Sequence, residues 1–531
     1  MYTVAEAGRR SVALIWRLAF SRAVACIGLS APILALALAA CAVGPDYKPA
    51  AAPVPTNFKE LKGWKLAKPS DALDRGNWWS LYRDPKLDAL LRQVEVSNQT
   101  VAAQAAAYEE TRAVIREAQA ALFPTLTATY TFTRTRRGPN ISGGSGFTPS
   151  GSAIGAGSGG GGIYSTTYTP ELSASWDLDV WGKVRRQIEA NTSAAQASKA
   201  DLDNVKLSEQ AMLATAYFNL RAADSLRALL SRTIVEYKKT YEVVNNQYKA
   251  GYGPSGSAGI TQGDAAAAMA QVLMAQGQLL NAGVARAQYE HAIAMLIGRP
   301  PAELSIGPIE LTRGIPKIPV TVPSTLLERR PDIAQAERTM QQQNALIGVA
   351  EAAFYPDISL SGTLEWIGKN PLPFSVANEI WSLGAAASQP IFNGGLLSAE
   401  LDAARASYWQ SVANYRQTVL TAFQGVEDEL AAIRLYSQQL AVDEKAAKEE
   451  RIAVDVYERQ LAAGTITYTT VATAQLTLLA DEEAALTARQ NLFLASVLLI
   501  EDLGGTWDTT LLPTQKELEQ SFSLLPKLPT Q

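Results

Sequence analysis

The second half of the chain repeats the first. Ala118-Gln119-Ala120-Ala121-Leu122-Phe123-Pro124 returns as Ala350-Glu351-Ala352-Ala353-Phe354-Tyr355-Pro356, and each copy opens the same order of segments. That order is an alternating strand, a loop, a second alternating strand and a very long stretch suited to helix. An internal duplication constrains an architecture heavily, because whatever one copy folds into, the other must match. Residues 77–300 and 324–505 are expected as the two repeats. Their hairpins fall at 125–180 and 357–391, a linker at 301–323 and a tail at 506–531.

Breakers are sparse in the longest segments. Val184 to Ala250 holds neither Gly nor Pro, and Leu396 to Ala463 holds only Gly425. Both runs far exceed the ~25 residues usual for a globular helix. Each would extend about 100 Å at ~1.5 Å per residue, several times a bilayer core. Their many charged and amide side chains rule out a membrane span. Leu230, Ile234, Tyr237, Tyr241, Val244 and Tyr248 alternate steps of four and three, the seam of a heptad coiled coil. In the second copy Ala447, Val454, Tyr457 and Leu461 keep the pattern, while Asp443 and Glu450 break it.

The first 40 residues read as an export signal. Arginines as far as Arg22 precede an apolar run from Ala23 to Ala40, which closes on Leu38-Ala39-Ala40-Cys41. That closing sequence resembles a bacterial lipoprotein box, in which the Cys sulfur receives a diacylglyceryl group and becomes the new N-terminus. Residues 41–76 would then be an extended, lipid-anchored segment, and Ala42 after the Cys favours outer-membrane sorting. Several acyl chains anchor stably, at ~0.8 kcal/mol per buried methylene. Cys26 leaves with the signal, so no disulfide is expected. The net charge of −4 becomes about −7 once the signal's +3 is removed, which argues against nucleic acid as a partner.

Four segments alternate strictly. Thr125 to Thr133 sets threonines against Leu126, Ala128, Tyr130 and Phe132; the return strand sets Glu171, Ser173, Ser175, Asp177 and Asp179 against Leu172, Ala174, Trp176, Leu178 and Val180. In the second copy Asp357, Ser359, Ser361, Thr363 and Glu365 oppose Ile358, Leu360, Leu364 and Trp366. Trp381, Leu383, Ala385 and Ala387 line the fourth strand. Period-2 patterns of about ten residues with aromatics near the ends suit strands between lipid and a polar lumen. The Gly/Ser-rich run Arg137 to Gly162 and the shorter Lys369-Asn370-Pro371-Leu372-Pro373 read as exposed hairpin tips. Four strands leave two open edges, which lipid does not tolerate, so self-assembly must close the sheet. Eight strands make a barrel filled by its own side chains, and three copies would give twelve.

Several motifs resemble the TolC-type outer membrane efflux factors, in particular the lipoprotein branch serving resistance-nodulation-division pumps. They are Cys41-Ala42-Val43-Gly44-Pro45-Asp46-Tyr47-Lys48-Pro49, Trp78-Trp79-Ser80-Leu81-Tyr82-Arg83-Asp84-Pro85, Pro323-Ser324-Thr325-Leu326-Leu327-Glu328-Arg329-Arg330-Pro331-Asp332-Ile333 and Gln389-Pro390-Ile391-Phe392-Asn393-Gly394-Gly395. The resemblance implies an α+β membrane protein. It would be a homotrimer with a 12-stranded transmembrane barrel, four strands per chain, continuous with a long periplasmic helical barrel. A mixed equatorial region would draw on Arg299 to Val322 and on the tail after Gly504. It implies a passive duct, with a periplasmic adaptor and an inner-membrane pump as partners and no cofactor beyond the lipid on Cys41.

Each long helix ends at a matched glycine, Gly251 and Gly464. In the family these turns form the closed periplasmic tip. Carboxylates often found there are replaced here by threonines at Thr470 and Thr473, within the run that includes Thr469. That run reads either as a closure made by packing and hydroxyl hydrogen bonds or as a helix N-terminus capped by Thr. Asp264 likewise reads as a cap or as a tip contact. Glu171, Asp177 and Asp179, on the presumed lumen face, would favour cations.

Chemistry is poorly provided for. His291 is the only histidine, and no thiol partners it, so neither a transition-metal site nor a Cys/His or Ser/His dyad is expected. No catalytic residue is nominated. A lipid-anchored coiled-coil scaffold is the competing reading, and the outward Tyr130, Phe132, Trp176 and Trp366 oppose it.

Overall fold

The computed structural model describes residues 42–55, 57–60, 77–137, 163–251, 259–311, 314–316, 318 and 328–519. Helices α1 (Pro85–Ser97) and α2 (Gln99–Ala120) lead into strands β1 (Thr125–Arg137) and β2 (Ile163–Leu178), then α3 (Lys183–Lys249) and α4 (Gln262–Leu296). The second half follows with α5 (Pro331–Ala352), β3 (Asp357–Trp366), β4 (Glu379–Ser388), α6 (Leu396–Ala462) and α7 (Tyr468–Asp502); α8 (Gln515–Glu519) is a short final turn. Matched helices have equal lengths: 22 residues in α2 and α5, 67 in α3 and α6, 35 in α4 and α7. Among the described residues no helix is long and apolar enough to cross a membrane.

Local chemistry starts the helices. Asp84 accepts from the Lys86 and Leu87 amides while Pro85 occupies the first position of α1, where no N–H is needed. Asn98 caps α2 through the Val101 amide. The sheet is antiparallel in the order β1-β2-β3-β4. Its register puts Thr127 beside Ser173 and Ser173 beside Thr363, so the polar sets of all four strands share one face. Leu126, Ala174, Gly362 and Leu383 share the other.

Three boundaries differ from the alternation read in the sequence. β1 continues to Arg137 and β2 begins at Ile163, while β2 stops at Leu178. The alternation had carried Asp179 and Val180 as strand residues. Instead the Asp179 carboxylate accepts from the Val184 and Arg185 amides at 2.9 and 3.0 Å and from Arg185 Nε at 3.1 Å. Gly182 at the N-cap has no side chain to do this, so Asp179 leaves the sheet to satisfy the first turn of α3.

Below the sheet the helices form a wall one helix thick. Next to the strands the order is α2-α3-α5-α6; farther away it is α4-α3-α7-α6. Between the two rows lies the principal core, where Tyr82, Phe218 and Phe493 meet with ring centroids 4.9 and 4.8 Å apart and the hydroxyls of Tyr82 and Ser496 share a 2.7 Å hydrogen bond. The segment after α4 is pinned here by charge. Asp224 accepts from Arg221, from Arg286 Nε at 2.7 Å and from the Ile309 amide at 3.1 Å, and Glu290 accepts from the Ile306 amide at 2.6 Å.

A second joint gathers α5, α6 and α7. Arg330 grips both oxygens of Asp332 and reaches the Asp502 carbonyl at 2.7 Å and carboxylate at 2.9 Å. A Cβ on Gly425 would lie 2.6 Å from that carboxylate, which is why the one breaker in α6 is tolerated. Burial, with Asp502 and Asp428 nearby, pushes Glu429 up to about 7. Burial, eased by the Ser208 hydroxyl and reinforced by the Asp502 charge, pushes Glu501 up to about 7 as well. Both values exceed the ordinary 4.5, so the folded state holds extra protons, and these groups' favourable contribution is lost as pH rises from about 4.5 through 7. The thermal midpoint is therefore expected to fall between pH 5 and about 8, and the double variant Glu429→Gln, Glu501→Gln to flatten that slope in scanning fluorimetry.

Candidate duct surface and helical tip

The polar face of the sheet carries the first set of nominated residues. Glu171 lies directly opposite Thr129 on one side and Glu365 on the other, and Asp177 lies opposite Ser359. Two carboxylates thus sit side by side, where unlike or neutral pairs would be more favourable. Asp179 is not with them. Its side chain is nearly buried and ion-paired with Arg185 at 3.1 Å, so of the three carboxylates expected on one face Glu171 and Asp177 lie on the sheet's polar face, which Glu365 and Asp357 share. Repeat register could have nominated Glu365, since it lies on the polar face of the second copy's first strand. At the sheet's base a cavity of about 350 Å³ is lined by Asp177, Asp179, Lys183, Gln187 and Asp357 among others.

The far ends of the helices carry the second set. Gly464, at φ +67°, donates to the Leu461 carbonyl while Thr465 N–H reaches back to Gln460, the paired bonds of a Schellman stop. Gly251, at φ +69°, makes the equivalent bond to Tyr248. The two ends are tied together, Gln247 Nε2 donating to the Leu461 carbonyl at 2.7 Å. A small core of Val244, Ala265, Ala268, Leu461, Tyr468 and Val471 joins both helical hairpins at this level.

Asp264 is the third helical residue of a capping box, not the cap itself. Its carboxylate accepts from the Thr261 amide at 2.8 Å, and the Thr261 hydroxyl accepts from the Asp264 amide at 3.2 Å. The threonine run does not cap α7: Thr467 makes no side-chain cap bond, and its hydroxyl shares a 3.2 Å hydrogen bond with that of Thr470. Thr469, Thr470 and Thr473 are exposed on one flank of α7, with the Thr473 hydroxyl bonded back to the Thr469 carbonyl.

Sequence reasoning missed the polar groups that join the two repeats just above the tip. Gln475 on α7 is buried and donates to Thr240 on α3 at 2.8 Å and to Glu458 on α6 at 2.7 Å; its carbonyl accepts from Tyr237. Tyr468 donates to Gln271 at 2.9 Å, and burial pushes its hydroxyl up to about 12, with Asp264 adding to the shift. Arg451 on α6 pairs with Glu236 on α3 at 3.3 Å and with Glu482 on α7. None of these stands out locally, because each is an ordinary polar residue on a long helix.

Cys41 lies outside the described residues, but the peptide after it is held firmly. Val43 donates to the Trp181 carbonyl, and the buried Arg186 guanidinium donates to the carbonyls of Val43 and Gly44 and to Asp46. Asn344 donates to the Pro45 carbonyl. Farther on, the amides of Lys59 and Glu60 both donate to Glu427, and Phe58 is buried against Phe423. Ala42 is therefore fixed beside Gly182, where sheet meets helices.

A sheet polar on one face and apolar on the other, continued by a single-layer helical wall, defines a channel-forming protein of a membrane. The profile of outer membrane efflux proteins matches residues 90–288 and 322–505, well over half of the chain, and the chain belongs to that family. It is 30% identical over 487 residues to the probable efflux pump outer membrane protein TtgC of Pseudomonas putida, covering 90% of this chain and 95% of that one. It is 27% identical over 478 residues to the cation efflux system protein CusC of Escherichia coli, covering 89% and 97%. Its fold matches the open state of the Neisseria gonorrhoeae MtrE outer membrane channel with a TM-score of 0.74 at 26% identity, over 88% of this chain and 99% of that one. Among the described residues no acidic, thiol or imidazole group is arranged to hold a metal ion.

Proposed function

We propose that three copies of the chain close into a 12-stranded barrel in the outer membrane, continuous with a periplasmic helical tunnel, and that this duct is the outer membrane channel of a tripartite efflux pump. The observation that carries the reading is the shared edge. The sheet ends in β1 and β4, the upper helix row in α2 and α6, and the lower row in α4 and α6. One unpartnered side therefore runs from top to bottom through the first repeat and another through the second. Both helical flanks are apolar and open: Leu273, Met274 and Leu280 on α4, and Leu435 and Val442 on α6. A neighbouring copy covers both at once. Two copies would give eight strands and a filled barrel; three are the fewest that leave a lumen.

In this arrangement the threonine and carboxylate face lines the lumen, where Glu171, Glu365 and Asp177 favour cations. The lipid on Cys41 enters the membrane beside Gly182, at the level set by the Arg186 grip. Residues 77–300 and 324–505 are the two repeats of each wall segment, with 301–323 and 506–531 contributing to the girdle. The tip around Gly251, Asp264 and Gly464 is the periplasmic aperture and faces the adaptor, with Thr469, Thr470 and Thr473 lining its approach; an inner-membrane pump supplies the energy. Relatives named for toluene, pyoverdine and cation export differ in cargo while sharing the duct. Full-length protein extracted from membranes is expected to run as a heat-modifiable trimer and to give cation-selective conductance in planar bilayers. A monomer released by removal of the acyl chains alone would end the reading.

A further inference from the structure

The apolar face of the β1–β2 hairpin changes character at a definite height. Counting along β2 from Leu178, the face is Leu178, Trp176, Ala174, Leu172, Pro170 and Tyr168, joined across the ladder by Leu126, Ala128, Tyr130 and Phe132. Ten residues separate Leu178 from Tyr168, about 34 Å along a strand at ~3.4 Å per residue. At the ~40° tilt of a membrane barrel this is about 25 Å of height, the thickness of an outward apolar band. The next two positions of β1 on the same face are Arg134, opposite Thr166, and Arg136, opposite Tyr164. They lie roughly 5 and 10 Å above the band, within the polar layer of a bilayer about 40–45 Å thick overall.

Both arginines are exposed, and both guanidinium carbons sit over the Tyr164 ring, at 5.2 and 5.6 Å from its centroid. The ring holds two planar cations together on the outward face while leaving their edge N–H groups unused. Among the described residues neither guanidinium has a hydrogen bond or an ion pair. The acidic residues of β1 and β2 all lie on the opposite face of the sheet.

We propose that Arg134, Arg136 and Tyr164 form a contact site for the phosphate groups of the outer-leaflet lipid surrounding the barrel. The inference rests on the barrel reading, since it requires the Phe132 face to be the lipid face. Guanidinium is suited to the partner: its forked N–H groups match phosphate oxygens two at a time, and its weak hydration suits an interface. The site would bind bisphosphorylated lipid around the rim of each hairpin and fix the height of the barrel from the outer side.

The test uses full-length protein in neutral detergent, with bisphosphorylated lipid A and the fully dephosphorylated lipid of the same acyl chains as probes, read by native mass spectrometry. Wild type is expected to retain the phosphorylated lipid roughly 10- to 30-fold more tightly than the double variant Arg134→Gln, Arg136→Gln, with no difference for the dephosphorylated lipid. Equal affinity of wild type and variant for the phosphorylated form overturns the proposal. So does a loss of stability in lipid-free detergent that Glu379→Gln reproduces while lipid affinity is unchanged, because the arginines would then pair with β4 of a neighbouring copy. A fluorophore on Phe132→Cys or Thr133→Cys, quenched by brominated lipid in bilayers, separates the two levels. Quenching at position 132 alone keeps the barrel orientation whatever the lipid result, and quenching at 133 alone removes the barrel reading and this site together.

Discussion

Replacing Asp224 with alanine is expected to destabilise the protein by about 3–5 kcal/mol, the range found when one partner is removed from a buried ion pair. Its side chain is only 1% exposed and serves Arg221, Arg286 and the Ile309 amide at once. Neither arginine has another carboxylate that could take over entirely. Arg221 otherwise donates to the Tyr217 hydroxyl and the Gly307 carbonyl, and Arg286 keeps only Glu290 and the Ile306 carbonyl. The variant should therefore release residues 301–311 from the helices before the rest of the wall opens. Limited proteolysis with mass mapping would show cleavage there first, and Asp224→Asn, which keeps the acceptor but not the charge, should fall between.

Charge reversal at Arg451 is expected to shift the tip towards its open form. The side chain is 44% exposed, so each of its two ion pairs contributes only ~0.2–1 kcal/mol. Arg451→Glu removes both and sets three carboxylates together from α3, α6 and α7. Loss and repulsion of similar size give about 1–3 kcal/mol, or roughly 5- to 150-fold in the ratio of open to closed tips. Single-channel recording should show the higher open probability, and cells carrying the variant should admit bulky hydrophilic antibiotics. Adding Glu236→Arg should restore closure. An unchanged open probability in Arg451→Glu would place the gating element elsewhere in the tip.

Period and punctuation carried most of the architecture. The threonine alternation of β1, the Gly-free run of α3 and the matched stops at Gly251 and Gly464 are local patterns, and each corresponds to an element found in place. Properties that depend on distant partners were not readable. Asp179 continues the alternation of β2, and only the three-dimensional position of the α3 amides takes it out of the sheet. Glu171 and Glu365 are neighbours because β2 and β3, from different repeats, pair in one register out of several. Gln475 and Arg451 look like any polar residues on an amphipathic helix until the second hairpin is laid against the first. The grip of Arg186 on Val43 and Gly44 was hidden for the same reason, since nothing in residues 42–46 marks where that strap will lie.

The single-layer wall has a genetic consequence. Every vertical seam of the proposed assembly is made by two chains, and no stretch of the lumen is enclosed by one. A subunit that folds and assembles but cannot complete its seam would spoil the whole duct, whatever its neighbours do. With equal amounts of normal and defective chain, only about one assembly in eight would contain three normal copies. Substitutions on α4, β4 or the outer flank of α6 should therefore act dominantly when co-expressed with the wild type. Substitutions that prevent folding should be recessive, because their products never reach the ring.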